Sequence, residues 1–383
     1  MEDALVELES SMCALLRGER VALRRLASPE RADRFRELAV FHGLAPLLCS
    51  RLRQSCPEDA ALGGRLFPPR ELADATAVEM LRAAELERVL DGIVRAGLEA
   101  LVLKGAALAH CVYPSAALRP RLDTDLLIRE SHREPVERVL ADLGYEKLAG
   151  ISGRLVSYQH GFERRDRFGI EHALDVHWRI SNTQAFSRAL DYATLAARSA
   201  PVPALGKHAR TLAPPDALLL ACMHRVHHLH QPYSVGALSM RGVDRLIWIH
   251  DIHLLVEAMT SAELRAFARQ VEQSRMTAVC RDGVTQAMRC FGTRVPDELL
   301  VALRHPAADD DSQRHLRRGR LRHLANELRS LPRLRDRTRL LAEHLFPSAD
   351  YMLAKYSLGN RAWLPLLYAL RSLHGAWKRI SGP

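Results

Sequence analysis

The spacing of apolar residues changes abruptly near residue 97, and this change most restricts the folds open to the chain. From Leu72 to Ala96 apolar residues recur at the period of a helix with one buried face. Gly97 then stands where a helix end favours the left-handed conformation. After it, Glu99–Leu103 and Leu122–Ile128 are short apolar runs bounded by turn residues, a pattern typical of buried strands. A helical first part followed by a segment of mixed strands and helices is therefore predicted.

The pattern of strands continues to about residue 180 and then becomes helical again. Val156–Glu163 and Ile170–Ile180 are predicted strands joined by a turn at Arg164–Gly169, and the helical period returns from Asp216 onward. We predict an α+β fold in which a small mixed β-sheet core is flanked by N-terminal and C-terminal helical regions. The expected domains are an N-terminal helical region at 1–96, the α+β core at 97–182 and a C-terminal helical domain at 183–383.

The composition is that of a globular chain. Of the 383 residues, 48% are apolar and 26% are charged, and no window approaches the ~18 consecutive apolar residues that a membrane span needs. The N-terminus is acidic and lacks the basic and apolar segments of a secretory signal. The seven cysteines are dispersed, which fits reduced thiols better than a disulfide framework. These features predict a cytoplasmic protein with no transmembrane segment.

The net charge of +10 comes mostly from arginine. Such a surface attracts nucleotides, nucleic acid or anionic lipid without selecting among them, so nucleic-acid binding is disfavoured here but left open. Basic runs at 314–322 and 333–339 accompany an apolar run at 363–370. These C-terminal helices could touch a membrane surface or an acidic partner, but we favour an amphipathic helical subdomain with arginine stems lying along it.

Acidic residues share one face of the predicted strands. In Leu122–Ile128, Asp123 and Asp125 project to the same side, and Asp175 and His177 share a side in the later strand. The opposite side is mostly apolar in the first strand and is apolar apart from His172 in the later one. Packed carboxylates repel one another unless a cation neutralises them, and hard oxygen ligands select Mg²⁺ or Mn²⁺ over zinc.

We therefore predict a two-metal site whose ligands are Asp123, Asp125 and Asp175. The alternative is that the Asp-x-Asp pair lies on the solvated face of an ordinary edge strand. The matching position of Asp175 and the apolar opposite faces of both strands favour the metal site.

A Lys104-Gly105 step lies between a predicted strand and a predicted helix. Glycine allows close approach of a phosphate to the backbone, and a helix N-terminus offers free N–H groups with partial positive charge. Lys104 adds a point charge suited to a triphosphate. The alternative is a plain turn with a solvated lysine, since no Walker or Gly-x-Gly-x-x-Gly pattern is present.

Taken together, these residues resemble the uncharacterised nucleotidyltransferase family of the polymerase-β-like nucleotidyltransferase superfamily. The most specific matches are Leu103-Lys104-Gly105, Tyr113-Pro114, Arg119-Pro120, Asp123-Thr124-Asp125 and Asp175-Val176-His177-Trp178. Looser matches in the helical parts are His42-Gly43 with Pro46, Asp216, His224, His228, Trp248 to Asp251 and Phe346-Pro347-Ser348. The resemblance extends over most of the chain.

The resemblance implies a metal-dependent enzyme that uses Mg²⁺ or Mn²⁺. Asp123 and Asp125 would bind both metals, and Asp175 would bind the catalytic metal and help to deprotonate an acceptor hydroxyl. The hydroxyl would attack the α-phosphate of an NTP such as ATP, with release of pyrophosphate. The acceptor would be a small molecule, a peptide or a protein, and the sequence indicates neither which one nor the oligomeric state.

The resemblance also implies a nucleotide site. Lys104 and Gly105 would lie beside the phosphates, and Arg119 would contact phosphate or form a structural pair. His177 would orient a ligand or hydrogen-bond a carboxylate. Many members of the superfamily have Gly-Ser where this chain has Gly105-Ala106, so one hydroxyl contact to phosphate is missing.

Other functions are compatible with parts of the pattern. A catalytically degenerate nucleotide-binding or regulatory module would keep the same fold, and metal-dependent glycosyltransferases also use Asp-x-Asp. The long helical segment before the motif counts against glycosyltransferases. His224 and His228 have the i, i+4 spacing that can chelate zinc on a helix, but packing or substrate contact is the favoured role for the His224–His230 cluster.

Overall fold

The computed structural model describes residues 2–19, 21, 26, 28–54, 63–68, 70–151, 153–230, 233–235, 238–240, 242–307, 310, 312–317 and 320–371. Its α-helices are α1 (Glu2–Arg17), α2 (Pro29–His42), α3 (Ala45–Arg53), α4 (Arg70–Arg95), α5 (Lys104–Cys111), α6 (Arg133–Asp142), α7 (Tyr192–Ala197), α8 (Pro214–His230), α9 (Leu246–Ala258), α10 (Ser261–Ser274), α11 (Thr277–Phe291), α12 (Asp297–Arg304), α13 (Arg320–Arg329), α14 (Leu334–Leu345) and α15 (Ala349–Lys355). Residues 63–66 and 364–371 are also helical.

The strands form one mixed sheet and a separate hairpin. They are β1 (Leu101–Leu103), β2 (Asp123–Leu127), β3 (Glu146–Lys147), β4 (Gln159–Arg165), β5 (Glu171–His177), β6 (Ala200–Pro201), β7 (Arg210–Thr211), β8 (Tyr233–Val235) and β9 (Leu238–Met240). The sheet has the order β3-β4-β5-β2-β1-β7-β6, and β8 pairs with β9. β2 is parallel to β5 and antiparallel to β1, while β4 is antiparallel to β5. The protein therefore has the predicted α+β fold, with helical regions on both sides of the sheet segment.

Helix α4 supports the sheet from its apolar side. Its residues Leu86, Leu90 and Ile93 share one buried cluster with Val102 of β1 and Leu126 of β2. Full burial of each such side chain contributes about 1.5–3 kcal/mol. The periodic run that predicts this helix is therefore also what anchors the central strands, with their polar face left for other contacts.

A second and larger apolar cluster joins the N-terminal helices to the helices after the sheet. It contains Met12 of α1, Phe35 of α2, Leu219 of α8 and Phe267 of α10, all almost completely buried. Residues far apart in sequence thus share one core. The predicted division of the chain at residues 96 and 182 stays a prediction.

Several short strands are not apparent in the sequence. β3, β6 and β7 each have two residues, too few to show an alternating pattern. β7 joins the sheet through Thr211, which pairs with Val102 and donates its hydroxyl to the carbonyl of that residue at 2.7 Å. Tertiary pairing therefore extends the sheet beyond the strands that periodicity predicts.

The range 183–383, predicted as a helical domain, also contains the short strands β6 to β9, and from Leu246 onward the described elements are helices. The predicted helical character of residues 372–383 lies outside the described residues. No helix in the described part of the chain combines the length and the apolar character needed to cross a membrane.

Candidate active site

Parallel pairing of β2 with β5 places Asp125 directly beside Asp175, and Asp123 beside Ala173. Alternate residues of a strand share a face, so Asp123, Asp125, Asp175 and His177 lie on the same side of the sheet. The other side of both strands packs into the core that contains α4. The face predicted from alternation alone is therefore the face on which the acidic residues meet.

Three side chains on this face are close enough to hold one ion. Single ligand atoms of Asp125, Asp175 and His177 all lie within 4.8 Å of one another. His177 Nε2 is 2.8 Å from Asp125 Oδ1, and His177 Nδ1 is buried with no hydrogen-bond partner among the described residues. Asp123 is more exposed and does not belong to this cluster. Its role as a metal ligand stays a prediction, whereas His177 makes the carboxylate contact that was one of its two expected roles.

Lys104 reaches the same carboxylate from the end of β1. Leu103 pairs with Asp125 across β1 and β2, and the Lys104 Nζ atom is 2.6 Å from Asp125 Oδ1. The backbone of Lys104 has a φ of 50°, which an L-residue adopts at a cost of about 1–2 kcal/mol. This left-handed residue lies at the junction between β1 and α5, and its ammonium is held against the acidic cluster.

The charges in the cluster shift the pKa values of its members. Burial alone would raise the pKa of Asp125, but Lys104 and His177 hold it well below its usual range. Burial and repulsion by Asp125 raise the pKa of Asp175 to about 6. Burial and repulsion by Lys104 lower the pKa of His177. Near pH 7 the site thus contains ionised Asp125, a neutral imidazole and an Asp175 carboxyl that is mostly ionised and that an additional cation would ionise fully.

The residues present fit a divalent cation. Two carboxylates and one neutral imidazole are donors that divalent metals accept, and oxygen-rich sets favour Mg²⁺ and Mn²⁺. Burial is the main reason for the raised pKa of Asp175, and the negative charge of Asp125, which Lys104 neutralises only in part, raises it further. A divalent cation bound beside Lys104 would remove the repulsion between Asp125 and Asp175, so the arrangement can hold a divalent metal.

A buried ion pair lies beside the start of α5, where the sequence predicts that phosphate binds. Arg119 forms two hydrogen bonds to Asp251 of α9, from Nε to Oδ1 at 3.0 Å and from Nη2 to Oδ2 at 2.7 Å. The Tyr113 hydroxyl also donates to Asp251, at 2.7 Å. A Cβ atom at Gly105 would lie 2.9 Å from the Arg119 guanidinium. Arg119 therefore lies directly against the start of α5 in a structural pair, and its contact with nucleotide stays a prediction.

The histidines of α8 form an aromatic cluster near Lys104. His224 Nε2 and His228 Nε2 are 3.0 Å apart, and His228 stacks on Trp248 with ring centroids separated by 4.9 Å. Burial, with Lys104 as the next contribution, lowers the pKa of His228 to about 3. Among the described residues, no third His, Cys, Asp or Glu lies close enough to form a metal site with these two histidines. The contacts observed are thus packing and imidazole hydrogen bonds.

Gln159 and Asn182 contact the site but were not among the predicted residues. Gln159 of β4 lies opposite His177 and donates from Nε2 to Asp175 Oδ2 at 2.8 Å. Asn182 donates in turn to Gln159 at 2.9 Å. Alternation along β4 could have placed Gln159 on the polar face, but only strand register brings it to Asp175.

Comparison with known families agrees with this geometry. A family model described as an uncharacterised nucleotidyltransferase matches residues 28–292, which is well over half of the 383-residue chain. The chain therefore belongs to this nucleotidyltransferase family, as its motifs predict. No curated protein matches the chain significantly.

Proposed function

We propose that this protein transfers a nucleoside monophosphate from an NTP to an acceptor hydroxyl and releases pyrophosphate, with Mg²⁺ or Mn²⁺ as cofactor. The observation that supports this most directly is the cluster of Asp125, Asp175 and His177 on the polar face of the sheet of a nucleotidyltransferase family member. The family is described as a nucleotidyltransferase family, which gives nucleotidyl transfer as the general activity. The metal, the nucleotide and the acceptor belong to the proposal.

Asp125 and Asp175 would hold the metal, with Asp123 beside them as a further oxygen ligand. The bound metal would supply Lewis-acid stabilisation of charge on phosphate oxygens. His177 would orient Asp125 through its 2.8 Å contact and, as a neutral imidazole, would add no charge to the ligand set. The bound cation would keep Asp175 ionised, and its carboxylate would accept the proton of the acceptor hydroxyl.

The start of α5 would bind the phosphates. The first N–H groups of a helix lack partners within the helix and attract anions. Gly105 has no side chain there, and Lys104 carries a positive charge whose pKa is raised, because attraction to Asp125 outweighs the effect of burial. With phosphate bound, Lys104 would be shared between the acidic cluster and the triphosphate. In-line positioning and charge neutralisation would then provide most of the rate enhancement.

A test of this function uses each α-labelled NTP with Mg²⁺ or Mn²⁺ in host extract. The wild-type chain is expected to label an acceptor, which mass spectrometry of the product would identify. Asp175→Asn keeps the side-chain shape but removes a charge, and should lower labelling by about 100-fold or more if transition-state charge depends on it. Asp142→Asn, an exposed position at the end of α6, makes the same chemical change away from the site and should leave labelling unchanged.

The alternative functions predict different results. A nucleotide-binding module would show NTP-dependent thermal stabilisation that requires Mg²⁺ but would label no acceptor under any condition. Labelling from a nucleotide sugar, and none from an α-labelled NTP, would favour a glycosyltransferase. Equal labelling by wild type and Asp175→Asn would contradict the proposed role of the acidic cluster.

A further inference from the structure

A chain of hydrogen bonds leads from the backbone of Tyr158 to Asp175. The Tyr158 amide N is 2.7 Å from Asn182 Oδ1. Asn182 Nδ2 is 2.9 Å from Gln159 Oε1, and Gln159 Nε2 is 2.8 Å from Asp175 Oδ2. Both amide side chains are half-buried, and Gln159 lies on the sheet face that carries the acidic cluster.

The direction of this chain is determined by its first member. A backbone N–H can only donate, so the oxygen of Asn182 must face Tyr158. The amide nitrogen of Asn182 must then face Gln159, whose oxygen accepts and whose NH₂ group donates to Asp175. Carboxamide orientation is otherwise ambiguous, but here each step leaves one choice. The result is a donor aimed at one oxygen of Asp175.

Tyr158, whose amide begins this series of hydrogen bonds, is held in place by its own contacts. Tyr158 is 2% exposed, and its hydroxyl donates to Gln184 Oε1 at 2.9 Å. Its carbonyl accepts from the Trp178 N–H at 3.0 Å. A fixed backbone donor transmits its orientation through two side chains, because each hydrogen bond restricts rotation of the next group.

We propose that Gln159 and Asn182 are positioning residues that orient Asp175 for binding a divalent cation. The inference rests on the proposed metal-dependent function. Groups that hydrogen-bond to metal ligands keep those ligands in a binding geometry, and their loss weakens metal affinity by about 10–100-fold. Gln159 restrains the carboxylate of Asp175, and Asn182 acts through Gln159.

Asn182→Asp tests the direction of the chain. The substituted side chain keeps an oxygen for the Tyr158 N–H but presents a second oxygen, instead of an NH₂ group, to Gln159. Gln159 must then turn its NH₂ group towards the new carboxylate at position 182, so that its oxygen faces the carboxylate of Asp175. The added negative charge alone would tighten cation binding. Weaker binding in this variant is therefore an effect that simple electrostatics does not produce.

The experiment measures the dissociation constant of Mn²⁺ for the full chain from the EPR signal of free Mn²⁺. Asn182→Asp and Gln159→Met, which removes the donor at similar size, should each weaken binding by about 10–100-fold. The double variant should be no weaker than Gln159→Met, because Asn182 acts only through Gln159. Asn360→Asp is the control: it adds the same charge and keeps its acceptor for the Ala362 N–H, so binding should match wild type.

Unfolding temperatures measured with EDTA identify any variant that fails to fold, and the side chains exchanged in Asn182→Asp have nearly the same size and shape. Unchanged or tighter Mn²⁺ binding in folded Asn182→Asp, with wild type binding Mn²⁺ and Asp175→Asn not binding it, would overturn this inference and leave the proposed function intact. Absence of Mn²⁺ binding in wild type would overturn both.

Discussion

Glu327 of α13 is a buried carboxylate that forms no ion pair within the described part of the chain, and replacing it with a neutral residue should stabilise the protein in a pH-dependent way. Its side chain is 6% exposed; one oxygen accepts the Gln184 N–H at 2.9 Å, and the other has no hydrogen-bond partner among the described residues. Burial raises the pKa of Glu327 from 4.5 to about 7, although the Gln184 N–H partly offsets this effect. This difference corresponds to about 3 kcal/mol.

The direction in which stability changes with pH follows from which state, folded or unfolded, loses its proton first. Below pH 4.5 the carboxyl is protonated in both the folded and the unfolded chain, and no penalty arises. Between pH 4.5 and about 7 the unfolded chain loses the proton first, so stability falls as pH rises. Glu327→Gln keeps an acceptor for the Gln184 N–H and removes this titration. We expect it to be about 2 kcal/mol more stable than wild type at pH 8, after a loss of about 1 kcal/mol for an imperfectly paired amide.

Urea unfolding followed by circular dichroism at pH 5 and pH 8 measures this effect. Glu327→Gln should be about 2 kcal/mol more stable than wild type at pH 8 and about equal to wild type at pH 5, where the wild-type penalty of about 1 kcal/mol is offset by the imperfectly paired amide. Glu272→Gln, the same change at an exposed position in α10, should show no such difference. A gain that is equal at both pH values, or a loss at pH 8, would refute the assignment of a raised pKa to Glu327.

Two further predictions concern the residues around the start of α5. Lys104→Gly should be about 0.5–1 kcal/mol more stable than Lys104→Ala in thermal or urea unfolding. Both variants lose the ammonium, but only glycine adopts a φ of 50° without strain, and its greater loss of conformational freedom on folding offsets part of that gain. The reverse order would contradict the strained backbone. Arg119→Lys should cost about 2–4 kcal/mol because it breaks the buried two-bond pair with Asp251. Arg294→Lys, at an arginine that is 90% exposed, should change stability by less than about 1 kcal/mol, and an equal effect of both changes would argue against the structural role of Arg119.

The acidic face of the sheet could be predicted from the sequence because it depends on local rules. Alternation along β2 puts Asp123 and Asp125 on one side, and alternation along β5 puts Asp175 on the side opposite to its apolar residues. The pairing of Asp125 with Asp175 agrees with that expectation. The family motifs and the flanking helices could be predicted for the same reason, since both are properties of short stretches of chain.

The composition of the site around those aspartates was decided by the tertiary structure. Arg119 pairs with Asp251 across 132 positions of sequence, and Gln159 reaches Asp175 only through the register of β4 and β5. His177 could equally have oriented a ligand, and it reaches Asp125 because the register of β2 and β5 places it one pair further along the same face. The sequence by itself determined which residues face the polar side of each strand, because that depends on local periodicity. Which of them touch was decided by register and side-chain packing, because those arise only when distant segments meet.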